Sequence, residues 1–164
     1  VLDDDSRVEL LAGEIVEQVG EGPRHLACKG KLNRLLVTAL GKRANLLPNG
    51  PVALPPDSMP EPDITLAVER EDFYAGRRPL PSDVLLLIEV SDSSLRKDRD
   101  LKLALYARAG VAEYWIVNLV DDVVEIYTKP QGDVYSESRV ARVGETISPT
   151  AFPDIVLDAS DIMP

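Results

Sequence analysis

The sequence predicts an α/β fold with a mixed α+β sheet, and three neighbouring stretches make that prediction. Val84 to Ile88 is an unbroken apolar run, Glu89 interrupts it, and Val90 resumes it. A continuous apolar run bounded by polar turn residues fits a strand covered on both faces. Ser91, Asp92, Ser93 and Ser94 then supply N-cap chemistry for a helix. That helix is expected from about Lys97 to Ala109, stopping at Gly110, a residue suited to the left-handed position after a helix end. Glu113 to Val117 returns as a second apolar strand. Strand, helix, strand is a βαβ unit, with parallel strands and a right-handed crossover by default.

The helix carries a chemical clue. Leu101, Ala104, Leu105 and Ala109 lie three or four apart and are expected to form its packing face. Asp98, Lys102 and Tyr106 are spaced by four and share a neighbouring face. Spacing alone allows an ordinary surface ion pair between Asp98 and Lys102. It also leaves room for the sharper reading, in which Lys102 points back over the end of the strand that holds Glu89. A carboxylate at the end of a buried strand is costly without a partner or a metal.

Length and composition bound the rest. The 164 residues form one expected domain, 1–164, and a hydrophobic content of 45% is globular rather than disordered. No run approaches the roughly 20 apolar residues that span a bilayer. The start, VLDDDSRVEL, is acidic and lacks the basic-then-apolar pattern of a signal peptide. The lone cysteine, Cys28, excludes an internal disulfide and a cysteine zinc site. A cytoplasmic protein with no membrane partner is the simplest expectation. A net charge of −10 disfavours passive binding to nucleic acid or anionic lipid. It leaves room for an enzyme that meets a polyanion through divalent ions.

From the N-terminus, Asp3 to Asp5 read as a solvated acidic tail. Val8 to Val19 reads as a β-hairpin turning at Ala12-Gly13, with Glu14 beyond the turn. After the loop Gly20–Pro23, a helical stripe of Cys28, Leu32, Leu35, Leu36, Ala39 and Leu40 ends at Gly41. His25, the only histidine, falls in the first turn of that helix. Asn45 to Leu54 holds two short extended pieces around the turn Pro48-Asn49-Gly50-Pro51. A proline-stiffened loop leads to Asp63, and Ile64 to Val68 is a buried strand. Glu69 to Ser82 is a polar excursion with room for one helical turn near Glu71–Tyr74. Val123 to Tyr127 alternates and should pair with Glu113–Val117. Val134-Tyr135 and Ser138–Val143 suggest further short strands, and Ile155 to Leu157 a last apolar segment.

Two acids flank apolar strands: Asp63 at the start of one, Glu89 near the end of the other. If these strands are adjacent and antiparallel, both carboxylates reach the same end of the sheet. Close carboxylates repel unless a cation neutralises them. A hard ion such as Mg²⁺ is the natural partner of an all-oxygen site. A lysine nearby would favour ionised carboxylates and could orient a water.

The ordered set Glu61-Pro62-Asp63, Glu89-Val90-Ser91, Asp98-Arg99 with Lys102, Tyr106-Ala-Arg-Ala-Gly-Val111 and Glu113-Tyr-Trp-Ile-Val117 resembles the Uma2-type restriction endonuclease family of the PD-(D/E)XK nuclease superfamily. The N-terminal Gly13-Glu14-Ile15-Val16-Glu17 and Pro23-Arg24-His25 share the likeness, which spans nearly the whole chain. The Pro-Asp pair alone is weak; the ordered set ending in AGVxEYWIV is specific. The resemblance implies a restriction-endonuclease-like αβββαβ core, the N-terminal hairpin and extra C-terminal strands being additions. It implies Asp63, Glu89 and the Val90 carbonyl as ligands of Mg²⁺ or Mn²⁺, with Asp63, Glu89 and Lys102 as the catalytic set. Superfamily members commonly place the lysine two residues after the second acid, where this chain has Ser91. The role therefore passes to Lys102 on the following helix, with Lys97 as competitor. Glu14 and His25 are implied as additional site residues. Asn118 stands where an aspartate is frequent and is expected to serve a turn. DNA is the implied substrate, and cutting both strands makes a homodimer the geometric expectation. A non-catalytic binding or assembly domain on the same scaffold is the alternative.

Overall fold

In the computed structural model, residues 7–164 are described. The acidic run Asp3–Asp5 lies outside them.

A hairpin comes first, β1 (Val8–Leu11) against β2 (Glu14–Glu17). Its turn residues, Ala12 and Gly13, take φ of 50° and 80°. Two left-handed residues match the twist of a two-residue hairpin loop. Helix α1 (Pro23–Leu40) follows, with Pro23 in its first turn and Gly41 beyond its end. Its buried residues, Cys28, Leu32, Leu36 and Leu40, recur every four positions, which makes one continuous apolar stripe.

The centre is a six-stranded mixed sheet of order β3-β4-β5-β6-β7-β8. β3 (Ala44–Pro48), β4 (Ile64–Val68) and β5 (Val84–Ser91) run antiparallel to one another in turn. β5 then runs parallel to β6 (Glu113–Asn118). The connection passes through α2 (Leu95–Lys97), a π-helical turn (Asp98–Lys102) and α3 (Leu103–Ala109), closed by Gly110 at φ 79°. This is the expected βαβ unit, and α1 with β3–β5 completes the αβββαβ order. β7 (Val123–Gln131) and β8 (Val134–Arg142) extend the sheet antiparallel. β9 (Thr146–Ile147) pairs with β10 (Leu157–Asp158), and the short helix α4 (Ala159–Ile162) follows.

Alternation along β5 sorts the two faces of the sheet. Leu86, Ile88 and Val90 pack with Leu32, Leu36 and Leu40 of α1, with Trp115 and Val117 of β6 beside them. Leu87 packs on the other face with Leu105, Tyr106, Tyr114 and Ile116, and Leu11 of the hairpin joins this side. Fully burying a leucine contributes about 1.5–3 kcal/mol, so both faces are firmly held. Glu89 shares a face with Leu87, which points it at the helix carrying Lys102. No helix among the described residues is long and apolar enough to cross a membrane.

Four expectations need correction. Val134 to Arg142 is one strand rather than two short pieces; most of its residues are exposed, so it lacks the apolar alternation that marks a half-buried strand. Only the first extended piece around Pro48–Pro51 is a strand; Leu54 makes just an isolated bridge to Ser58. The polar excursion turns through Arg70–Ala75 without a helix, and its one helical turn is a 3₁₀ segment at Pro81–Asp83. The helix after β5 starts at Leu95, and its buried face is not the expected apolar one. Leu101 is 37% exposed, whereas Asp98 and Lys102 are 1% and 3% exposed. The π-turn adds a residue to one helical turn and shifts the face presented to the sheet. Such turns are frequent at functional sites.

Candidate active site

Register decides the first element of the site. Ile64 lies opposite Ile88 in the antiparallel pair β4–β5. The next residues outward, Asp63 and Glu89, therefore reach the same end of the sheet. They line one cleft of about 250 Å³, together with Val90, Lys102, Asp98, Lys97, His25 and Glu21.

Glu89 is 4% exposed. Lys102 Nζ donates to its Oε1 at 2.7 Å, and the Tyr106 hydroxyl donates to the same oxygen at 3.0 Å. Lys102 Nζ also lies 2.7 Å from Glu9 Oε1 and 4.0 Å from Asp98 Oδ1. The surface ion pair that spacing allowed between Asp98 and Lys102 is thus replaced by a buried cluster. Three carboxylates surround one ammonium. Glu9 is fixed further by the Glu61 amide, which donates to Oε1 at 2.8 Å, and by Lys97, 3.3 Å from Oε2. Asp98 Oδ2 accepts from the Ser91 and Ser94 hydroxyls at 2.6 and 2.7 Å. Its Oδ1 is buried without a hydrogen-bond partner. An orphaned carboxylate oxygen is costly in such a place and points to a cation or water.

Asp63 is anchored differently. The Val90 amide donates to Oδ2 at 2.7 Å, which fixes one oxygen of the carboxylate. Oδ1 lies 3.0 Å from His25 Nε2 and 3.5 Å from Lys29 Nζ. Lys29 is closer to Glu21 Oε1, at 2.5 Å, and to Asn49 Oδ1, at 2.9 Å. Glu21 Oε1 lies 3.7 Å from His25 Nε2. Among the described residues, Glu21, His25 and Asp63 form the group whose ligand atoms all fall within 4.8 Å of one another.

The electrostatics divide the two acids. Burial pushes the Glu89 carboxyl up to about 8; Lys102 opposes that rise, and Asp98, Asp63 and Glu9 add to it. Asp63 is held below the usual carboxylate range, because the His25 hydrogen bond and charge, the Val90 amide and Lys29 together outweigh burial. Glu9 is also lowered, since Lys102, the Glu61 amide and Lys97 outweigh its burial. Burial lowers Lys102, but Glu89, Glu9 and Asp98 outweigh it and raise the lysine above its ordinary value. The lysine is a firmly charged donor, and Glu89 is the carboxyl of the cluster whose protonated form the surroundings favour.

The structure therefore brings Asp63, Glu89, Val90, Lys102 and His25 to one cleft. Glu14 is not brought there: it is exposed at the start of β2 and does not line the cleft. The hairpin instead delivers Glu9, whose neighbour along the inward face of β1 is the buried Leu11. A glutamate at an inward position of an alternating strand is a signal that the sequence did carry. Glu21, Lys29 and Tyr106 were missed as site residues; His25 and Lys29 stand four apart on one face of α1, which the helical period would have shown, whereas Glu21 precedes the helix. Asn118 serves the turn as expected, its side-chain oxygen accepting from the Val120 and Asp121 amides at 2.9 and 3.1 Å.

Comparison with known proteins gives the family and the fold. The family described as "Uma2: Putative restriction endonuclease" matches residues 2–160. No curated protein matches the sequence. A crystal structure from Anabaena variabilis ATCC 29413, described as "a putative nuclease belonging to DUF820", is similar with a TM-score of 0.76 at 15% identity, covering 99% of this chain and 92% of that one. At that identity the likeness concerns the fold.

Proposed function

The chain belongs to the Uma2 restriction-endonuclease family, and from that premise we propose that it is a divalent-metal-dependent endonuclease hydrolysing phosphodiester bonds of DNA. The observation that carries this reading is the meeting of Asp63, Glu89 and a buried, charged Lys102 in one cleft. Asp63, Glu89 and the Val90 carbonyl would hold Mg²⁺ or Mn²⁺. Such an ion, when bound, supplies Lewis acidity and a water acidic enough to attack at neutral pH.

The chain's own residues do the rest. Asp63 enters the reaction ionised, with Oδ2 held by the Val90 amide and Oδ1 directed toward the cleft. Glu89 must give up its proton to become a ligand. Lys102 is too firmly charged to serve as a base. It acts as a donor that orients the attacking water and offsets charge on the phosphate. Tyr106 fixes the Glu89 oxygen that faces Lys102, and Glu9 Oε1 holds Lys102 at 2.7 Å. A net charge of −10 makes the bound cation necessary for a polyanion to approach.

The test is incubation of the purified protein with supercoiled plasmid, single-stranded DNA and RNA, with and without Mg²⁺ or Mn²⁺. Metal-dependent cleavage of DNA that Asp63→Asn abolishes is the expected result. The same net charge favours a second reading, a non-catalytic binding or assembly domain. Association with a partner together with no cleavage of any substrate at millimolar metal would establish that reading. Cleavage of both strands at one position would require two cleft-bearing copies, and hence a homodimer.

A further inference from the structure

We propose that His25 is a direct ligand of the ion held by Asp63, through Nε2, and that this nitrogen makes the cleft select Mn²⁺ over Mg²⁺. The idea rests on the metal-dependent reading above and adds a ligand and a metal preference to it.

The geometry comes from three elements. Glu21 precedes α1, His25 lies in its first turn, and Asp63 precedes β4. Their ligand atoms fall within 4.8 Å of one another. Two atoms bound to one ion at about 2.1–2.4 Å can stand no farther apart than about 4.8 Å. His25 and Asp63 can therefore close on a single cation with small side-chain motion. His25 and Asp63 are already oriented: Nε2 and Oδ1 are 3.0 Å apart, and the Val90 amide pins the other Asp63 oxygen. Their side chains are 15% and 10% exposed, so the pair is largely shielded yet open to the cleft. Lys29 already holds Glu21 Oε1 at 2.5 Å and stands 3.5 Å from Asp63 Oδ1, so Glu21 stays with Lys29 and the ion falls to His25 and Asp63. Asp98 gives independent support for a cation in this cleft, through its buried and unpartnered Oδ1.

The donor set decides the metal. Mg²⁺ takes oxygen ligands and sheds water reluctantly. An imidazole nitrogen beside carboxylates suits ions later in the first transition row, and affinity rises from Mn²⁺ onward. Of these, Mn²⁺ is the one that keeps the oxygen preference of Asp63 and Glu89.

The experiment measures binding of Mn²⁺ alone and Mg²⁺ alone by calorimetry, for the full chain and for His25→Gln, with pulsed electron paramagnetic resonance of the Mn²⁺ complex. The wild type should bind Mn²⁺ about tenfold or more tightly than Mg²⁺ and show a coupled imidazole nitrogen. His25→Gln should lose the nitrogen coupling and roughly 10–100-fold in Mn²⁺ affinity, comparable to losing a strong orienting contact, while Mg²⁺ affinity changes less than about threefold. Bound Mn²⁺ without nitrogen coupling in the wild type overturns the proposal, and that observation needs no variant to fold. Equal losses for both ions also overturn it. Metal-dependent cleavage with His25-independent binding would remove this inference and leave the nuclease reading standing. Mn²⁺ bound through His25 by a protein that cuts nothing would do the reverse. Binding of neither ion overturns both.

Discussion

Removing the Lys102 charge should do more than stop catalysis. Lys102→Met keeps the aliphatic stem and deletes the ammonium from among Glu9, Glu89 and Asp98. Breaking a buried ion pair by removing one partner costs about 3–5 kcal/mol. Lys102 is 3% exposed and has two partners at 2.7 Å, so it belongs in that class and not among surface pairs. For a chain of this size, each kcal/mol shifts the melting temperature by about 2–4 °C. The expected drop at pH 7.5 without metal is therefore roughly 6–20 °C by those two magnitudes. The loss should shrink at pH 5, where Glu9, freed of Lys102, can take a proton as Glu89 already does. Lys97→Met is the control: Lys97 is more exposed, with one partner at 3.3 Å, and its pair should contribute less than about 1 kcal/mol. Thermal melts by circular dichroism at both pH values check this. If Lys102→Met melts within about 2 °C of wild type at pH 7.5, by the same scaling, Lys102 is not the counter-charge of the cluster. Below its melting temperature, the variant should also lose cleavage by about 10²–10⁴-fold, as for a positioned group in proton transfer.

Further predictions concern the acids. Because the Glu89 carboxyl is raised to about 8, the metal-free protein holds a proton there that the unfolded chain releases near its ordinary value. The stability this contributes is complete at low pH and is lost as pH rises toward 8. Glu89→Gln should therefore melt at the same temperature or higher than wild type near pH 8 without metal, and should gain nothing from Mg²⁺; a large drop would make Glu89 a structural hydrogen-bonding group. Metal binding to the wild type should release a proton and strengthen with pH up to about 8. Calorimetry in two buffers of different ionisation enthalpy reads that proton, and identical heats would contradict it. Glu14→Ala should change melting by no more than the effect of about 0.5 kcal/mol typical of surface sites and leave cleavage intact; a large loss of cleavage would return Glu14 to the site.

The βαβ unit was legible because its strands are buried on both faces and read as continuous apolar runs. The meeting of Asp63 and Glu89 followed from assuming β4 and β5 to be adjacent and antiparallel, which they are. Lys102 was legible only through the family pattern, since Asp98 and Lys102 have the spacing of any surface pair. What turned them inward is the π-turn, which no residue type announces. It replaced Leu101 by Lys102 on the buried face. Glu9 and Glu21 were hidden for another reason. Glu9 joins the site through contacts across 52 and 88 positions, with Glu61 and Lys97, which leave no local period, and Glu21 stands in the loop before α1, outside the helical pattern that carries His25 and Lys29.

Asp63 and Glu89 are expected to share one divalent ion. Crystals soaked in Mn²⁺, with diffraction measured so that manganese scatters anomalously, test it directly. The account predicts a single strong anomalous peak about 2.0–2.6 Å from an oxygen of Asp63 and an oxygen of Glu89, a range set by hard-cation coordination. No peak in the cleft, or a peak bound elsewhere while Glu89 stays bonded to Lys102 and Tyr106, would contradict it.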